Sequence, residues 1–103
     1  MQAEQDLPDN EVHETDVEIR NQHGLHMRPA MKFVDVANQF DSDILVSYGD
    51  TKVNGKSIME ISMLAATKGA RLKIKASGSD ARAALDALRE LVEDPQFDGP
   101  TPK

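Results

Sequence analysis

Apolar residues in this chain recur at every second position in some stretches and at every third or fourth in others, and the two spacings alternate along its length. The first spacing marks a strand with one buried face, the second a helix with one apolar stripe. Val12, Val17 and Ile19 predict a first strand, with Val17 and Ile19 on one face. NQHGLH then reads as a loop. From Met27 to about Gln39 the period is helical, because Ala30, Phe33, Val34 and Ala37 fall at i, i+3, i+4 and i+7. Pro29 sits in the first turn, where a missing N–H costs nothing. Ile44–Tyr48 and Thr51–Val53 flank Gly49-Asp50, a hairpin signal. A short helix is predicted over Ile58–Thr67, ended by Gly69. Arg71–Ala76 alternates charged and apolar residues, as a half-exposed strand does. Gly78-Ser79 turns the chain and offers Ser79 as an N-cap. The last helix carries Ala81, Ala84, Leu85, Leu88 and Val92 on one face.

The order is β-α-β-β-α-β-α. Helices with one stripe and strands with one apolar face are both satisfied when the helices lie on one side of an open sheet. The expected fold class is therefore α+β, a two-layer open-faced sandwich. In it a four-stranded antiparallel sheet is covered on one face by three helices.

A chain of 103 residues fits one small domain with a modest core. That favours chemistry at the surface over a deep, substrate-enclosing pocket. With no cysteine, disulfides, thiolate catalysis and cysteine metal sites are excluded. No apolar run approaches the roughly 20 residues of a membrane span, so no direct membrane insertion is expected. The start, MQAEQDLPDNEVHETD, lacks the basic and apolar parts of a signal peptide. A soluble, cytoplasmic protein is the expectation. The net charge of −6 is uneven: residues 1–18 hold seven acids and no Lys or Arg. The remainder holds twelve basic and eleven acidic residues. That balance, with no Trp and one Tyr, argues against nucleic-acid binding. Residues 1–10 read as a flexible acidic extension, 11–94 as the domain, and 95–103 as a tail anchored by Phe97.

The informative stretch is His23-Gly24-Leu25-His26-Met27-Arg28-Pro29-Ala30. His26 stands where loop becomes helix. The first amides of a helix have no internal partners and, with the helix dipole, favour an anion. Arg28 adds a permanent charge with several donors. The positive helix end also favours a neutral imidazole, the form that acts as a nucleophile. The combination suits a phosphohistidine: a ring nitrogen attacks phosphorus while amides and Arg28 hold the phosphoryl oxygens. Spacing alone also fits, and more often means, a His26 that is an N-cap or an inert surface residue.

The run Gly24-Leu25-His26-Met27-Arg28-Pro29-Ala30 resembles the active-site signature of the HPr family, histidine-containing phosphocarriers of the bacterial phosphoenolpyruvate-dependent phosphotransferase system. A second segment is similar too: Lys56-Ser57-Ile58-Met59, then Ile61, Leu64 and Gly69, at the family's distance from His26. The resemblance runs from about Val12 to Val92. It implies that His26 accepts phosphate on Nδ1 from the phosphorylated first enzyme of the system, steadied by Arg28. It implies transfer onward to the A domain of a sugar permease or of a regulatory protein. It implies a carrier, not an enzyme, with no cofactor.

Ser57 has two readings. Ser-x-x-Glu, closed by Glu60, is a capping box. In many members of the family the matching serine is a regulatory site for a kinase/phosphorylase. Those members usually have glycine where this chain has Glu60, whose charge would repel a phosphate on Ser57. A regulatory binding module, controlled by phosphorylation at Ser57 or His26, is the alternative to the carrier. An interaction domain with an inert histidine is a third.

The second helix is too apolar for one buried face. Ile61 and Leu64 suit the core, which leaves Ile58, Met59 and Ser62 facing outward. Met27 and Met31, one turn apart on the first helix, extend such a patch. The resemblance assigns these positions, with Thr67, to partner docking. His23 and His26 invite a metal reading, but two histidines leave a site incomplete, so no metal is expected. His23 reads as a variable loop position. A monomer suits a shuttle that shows one face to successive partners.

Overall fold

The computed structural model describes residues 11–97. The acidic extension at 1–10 and the tail beyond Phe97 lie outside the described residues. The elements are β1 (Val12–Glu18), α1 (Met27–Ala37), β2 (Asp43–Tyr48), β3 (Thr51–Asn54), α2 (Ile58–Met63), β4 (Arg71–Ser77) and α3 (Ala81–Val92). Their order is the one the periodicity predicts.

The strands form one antiparallel sheet in the order β1-β4-β2-β3. Register puts Val17 opposite Leu72, Ile44 opposite Ala76, and Val46 between Ile74 and Val53. All seven are buried. The alternate positions pair Glu14 with Lys75, Asp16 with Lys73 and Glu18 with Arg71. Strands with period two thus separate an apolar face from a charged one. The three helices cover the apolar face. α1 contributes Ala30, Phe33, Val34 and Ala37, and α3 the five residues of its predicted stripe. Phe97 is 1% exposed and packs into the same core.

Two helix ends differ from the sequence expectation. α1 stops at Ala37, not Gln39. α2 stops at Met63, so Leu64–Thr67 are not helical. Ala65 takes a left-handed conformation, φ 51°, which turns the chain out of the helix, and the carbonyl of Ala66 accepts from the amide of Leu25 at 2.9 Å. A tertiary bond thus claims a segment that composition favoured for helix. Gly69, the expected terminator, lies beyond that bond. It donates to the carbonyl of Ile19 at 2.7 Å.

Ser79 does not cap α3. Asp80 is the N-cap residue, and its carboxylate does not bond the helix either. It accepts instead from the amides of Asp41 and Ser42, at 2.8 and 3.0 Å, and from the hydroxyl of buried Ser42. A cap signal in sequence cannot foresee that a residue will be drawn across space to the loop after α1.

Candidate functional site

The loop before α1 is pinned from both sides. Asn21 is buried, and its side-chain amide donates to the carbonyl of Gly24 at 2.9 Å. Gly24 has φ +67°, and a Cβ there would run into the carbonyl of Ala66 and approach Thr67 Cα at 2.8 Å. Only glycine allows that approach without strain. Leu25 is buried and bonded to Ala66. The next residue is therefore delivered to one place on the surface, at the mouth of α1.

His26 is the N-cap residue, with extended backbone, and its carbonyl accepts the first helical bond from Ala30 at 3.0 Å. Its side chain makes no cap bond, and no acidic residue stands in the first turn. Pro29 has no N–H, so the unsatisfied amides of this turn are those of Met27 and Arg28. His26, Met27 and Arg28 are exposed. The helix entrance is left positive, open and unfilled, with an imidazole and a guanidinium on it. That arrangement can receive an anion of several oxygens.

Ser57 occupies the corresponding place on α2, and there one of the amides is taken. Its hydroxyl accepts from the amide of Glu60 at 3.3 Å. The reciprocal half of the expected capping box is absent. The Glu60 carboxylate accepts from the amide of Asn54 at 2.8 Å, because the Ser57 amide is already given to the carbonyl of Asn54 at 3.1 Å.

The predicted docking residues divide. Met27 and Met31 on α1 and Met59 on α2 are large, exposed and apolar, 56%, 47% and 74% accessible. Thr67 is exposed. Ile58 is only partly outward, since it packs against the core, and Ser62 is half-buried with its hydroxyl given to the Ile58 carbonyl at 2.8 Å. Met63, 74% accessible, joins the exposed methionines. The signal for it was the surplus of apolar residues in α2. The ring of His23 lies against that of His26, a contact that treating the loop position as variable missed. Among the described residues no cluster of three or more His, Cys, Asp or Glu could hold a metal ion. Among them, too, no helix is long and apolar enough to cross a membrane.

The imidazole and the guanidinium stand on an exposed helix entrance of a small open-faced sandwich. Residues 13–94 match the family described as PTS HPr component phosphorylation site. Phosphocarrier protein HPr of Neisseria meningitidis serogroup A is 45% identical over 76 residues, 74% of this chain and 85% of that protein. The multiphosphoryl transfer protein of Escherichia coli O157:H7 is 39% identical over 90 residues, 84% of this chain and 24% of that protein. A crystal structure of HPr from Thermoanaerobacter tengcongensis superposes with a TM-score of 0.78 at 41% identity, covering 87% of this chain and 99% of that one. The chain belongs to the HPr family of phosphocarriers.

Proposed function

We propose that this chain accepts a phosphoryl group on Nδ1 of His26 from the phosphorylated first enzyme of the phosphotransferase system. It passes the group to the A domain of a sugar permease or of a regulatory protein. The observation that supports this best is the unfilled entrance of α1, where His26, Arg28 and two unengaged amides share one exposed spot. The imidazole lone pair forms the N–P bond as the donor's bond to phosphorus breaks. The amides of Met27 and Arg28, with the Arg28 guanidinium, take the charge on the phosphoryl oxygens. No base is required, because a neutral imidazole already offers its lone pair. Transfer onward reverses these steps.

Donor and acceptor must bind in turn and leave. Exposed Met27, Met31, Met59 and Met63, with Thr67 and the outward edges of Ile58 and Ser62, suit that use, since methionine adapts to more than one partner. Such a carrier works as a soluble cytoplasmic monomer. Ser57 is spent on capping α2, and the Glu60 carboxylate in the same turn opposes a phosphate there. The regulatory reading at Ser57 therefore stands second.

The test is intact mass after incubation with phosphoenolpyruvate and a first enzyme of the system, for wild type and His26→Ala, before and after brief acid. One acid-labile phosphoryl group on wild type and none on the variant is expected. No added mass, with the donor active on a control carrier, would sink the reading. Acid-stable mass from a serine kinase, persisting in His26→Ala, would move regulation to Ser57.

A further inference from the structure

The chain has no cysteine, so thioethers are its only sulfur. Of its five methionines, Met1 lies outside the described residues. The other four stand in two pairs, each one helical turn apart: Met27 and Met31 on α1, Met59 and Met63 at α2. All four are exposed, and the α2 pair is the more open, 74% accessible against 56% and 47% on α1. None is in the core, which is built of Val, Ile, Leu, Ala and Phe. Every described methionine thus lies on the two helices beside the His26 entrance, which meet where Gly24 packs on Ala66 and Thr67.

We propose that these thioethers are a reversible modification site. A peroxide converts them to sulfoxides, Met59 and Met63 first, and so weakens docking while leaving His26 as it was. The proposal rests on the carrier reading, in which this patch receives donor and acceptor in turn.

The step balances with hydrogen peroxide as the oxidant. A sulfur lone pair attacks one peroxide oxygen, and the S–O bond forms as the O–O bond breaks. Sulfur is oxidised and the peroxide is reduced. The hydroxide that leaves takes the proton of the S–OH group, so the products are sulfoxide and water. In reversal a dithiol removes the oxygen as water and becomes a disulfide, a reaction for which methionine sulfoxide reductases exist.

The consequence follows from what the sulfur is used for. A thioether is soft and apolar and fits more than one partner surface. A sulfoxide is polar and chiral, with a strong acceptor oxygen. In the free chain water satisfies that oxygen. Beneath a partner the water is excluded, and an acceptor left unpaired there lowers affinity by about tenfold. The core holds no thioether among the described residues, so the same change leaves the packing of the sheet and helices intact. Exposure and location together confine the effect to the docking face.

The test uses the full chain, treated with dilute hydrogen peroxide, freed of it, and mapped by peptide mass. Oxygen should appear on Met59 and Met63 before Met27 and Met31, with the melting curve in place. Uptake from phosphoenolpyruvate and a first enzyme is then measured against carrier concentration. KM should rise about tenfold with kcat near its untreated value. Methionine sulfoxide reductase with a dithiol should restore it. The double variant Met59→Leu, Met63→Leu, compared with its own untreated form, should lose less to the same treatment. Uptake unchanged in the oxidised chain, a loss that the reductase does not reverse, or a loss that accompanies unfolding overturns the proposal while loading itself persists. If the untreated chain is not loaded by an active donor, it is the carrier reading that fails, and the proposed switch goes with it.

Discussion

The entrances of α1 and α2 begin alike and end in opposite states. Each N-cap residue is extended, each carbonyl starts a helix, and each first turn offers amides without internal partners. At α2 a hydroxyl takes one of those amides and an acid stands in the first turn. At α1 neither is present; the side chain at the cap is an imidazole that leaves the amides alone. The side chain at one cap holds its helix, and the side chain at the other does not. The cap bond not made at His26 is what the proposed carrier role requires of this entrance. The cost is small, because a missing cap is worth about 1 kcal/mol and the buried Leu25, Ala30 and Phe33 hold the site by packing.

The contrast can be broken. The largest effect should come from Gly24→Ala, which forces a Cβ against Ala66 and Thr67 and so parts the α1 entrance from the end of α2. A loss of about 2–4 kcal/mol in denaturant unfolding is expected. A near-neutral result would mean that the contact does not set the position of His26. Next is Arg28→Glu, which makes the α1 entrance resemble that of α2. Phosphoryl uptake should fall by at least about a hundredfold, with thermal stability unchanged or slightly raised by the acid in the first turn. Quench-flow transfer kinetics would decide, and a rate within a few-fold of wild type would remove Arg28 from the site.

Ser57→Ala is the converse, and should cost about 1 kcal/mol of stability while leaving phosphoryl uptake on His26 as it was. A slowed uptake with normal stability would give Ser57 a part in docking. The smallest effect concerns the third entrance. The hydroxyl of Ser42 first, and then the amide of Asp41, hold the Asp80 carboxyl below its usual range. The folded value is lower than the unfolded one. Its stabilisation is therefore complete above about pH 4 and is lost as pH falls through the folded value. Melting curves over that acid range should fall more steeply for wild type than for Asp80→Asn; parallel curves would show that the Asp80 contacts carry no linked stability.

Periodicity was enough to read the element order, the stripe of α1 and that of α3, because burial on one face leaves a repeat that neighbours along the chain can show. The seven-residue run from Gly24 to Ala30 likewise exposed His26 and Arg28, since a helix entrance is built from consecutive residues. Ile58 misled because a six-residue helix does not sort its apolar residues cleanly into two faces.

What the sequence by itself determined is local: which stretches are strands or helices, which faces are apolar, and which residues stand at the mouth of α1. Only the tertiary structure decided where α2 stops, since Ala66 leaves the helix to bond Leu25. It alone drew Asp80 away from α3 to Ser42, and Glu60 away from Ser57 to Asn54. It alone set the ring of His23 against that of His26. The reason is common to all four. A polar or aromatic group can choose among several partners of similar strength, and the packed backbone settles which one comes within reach.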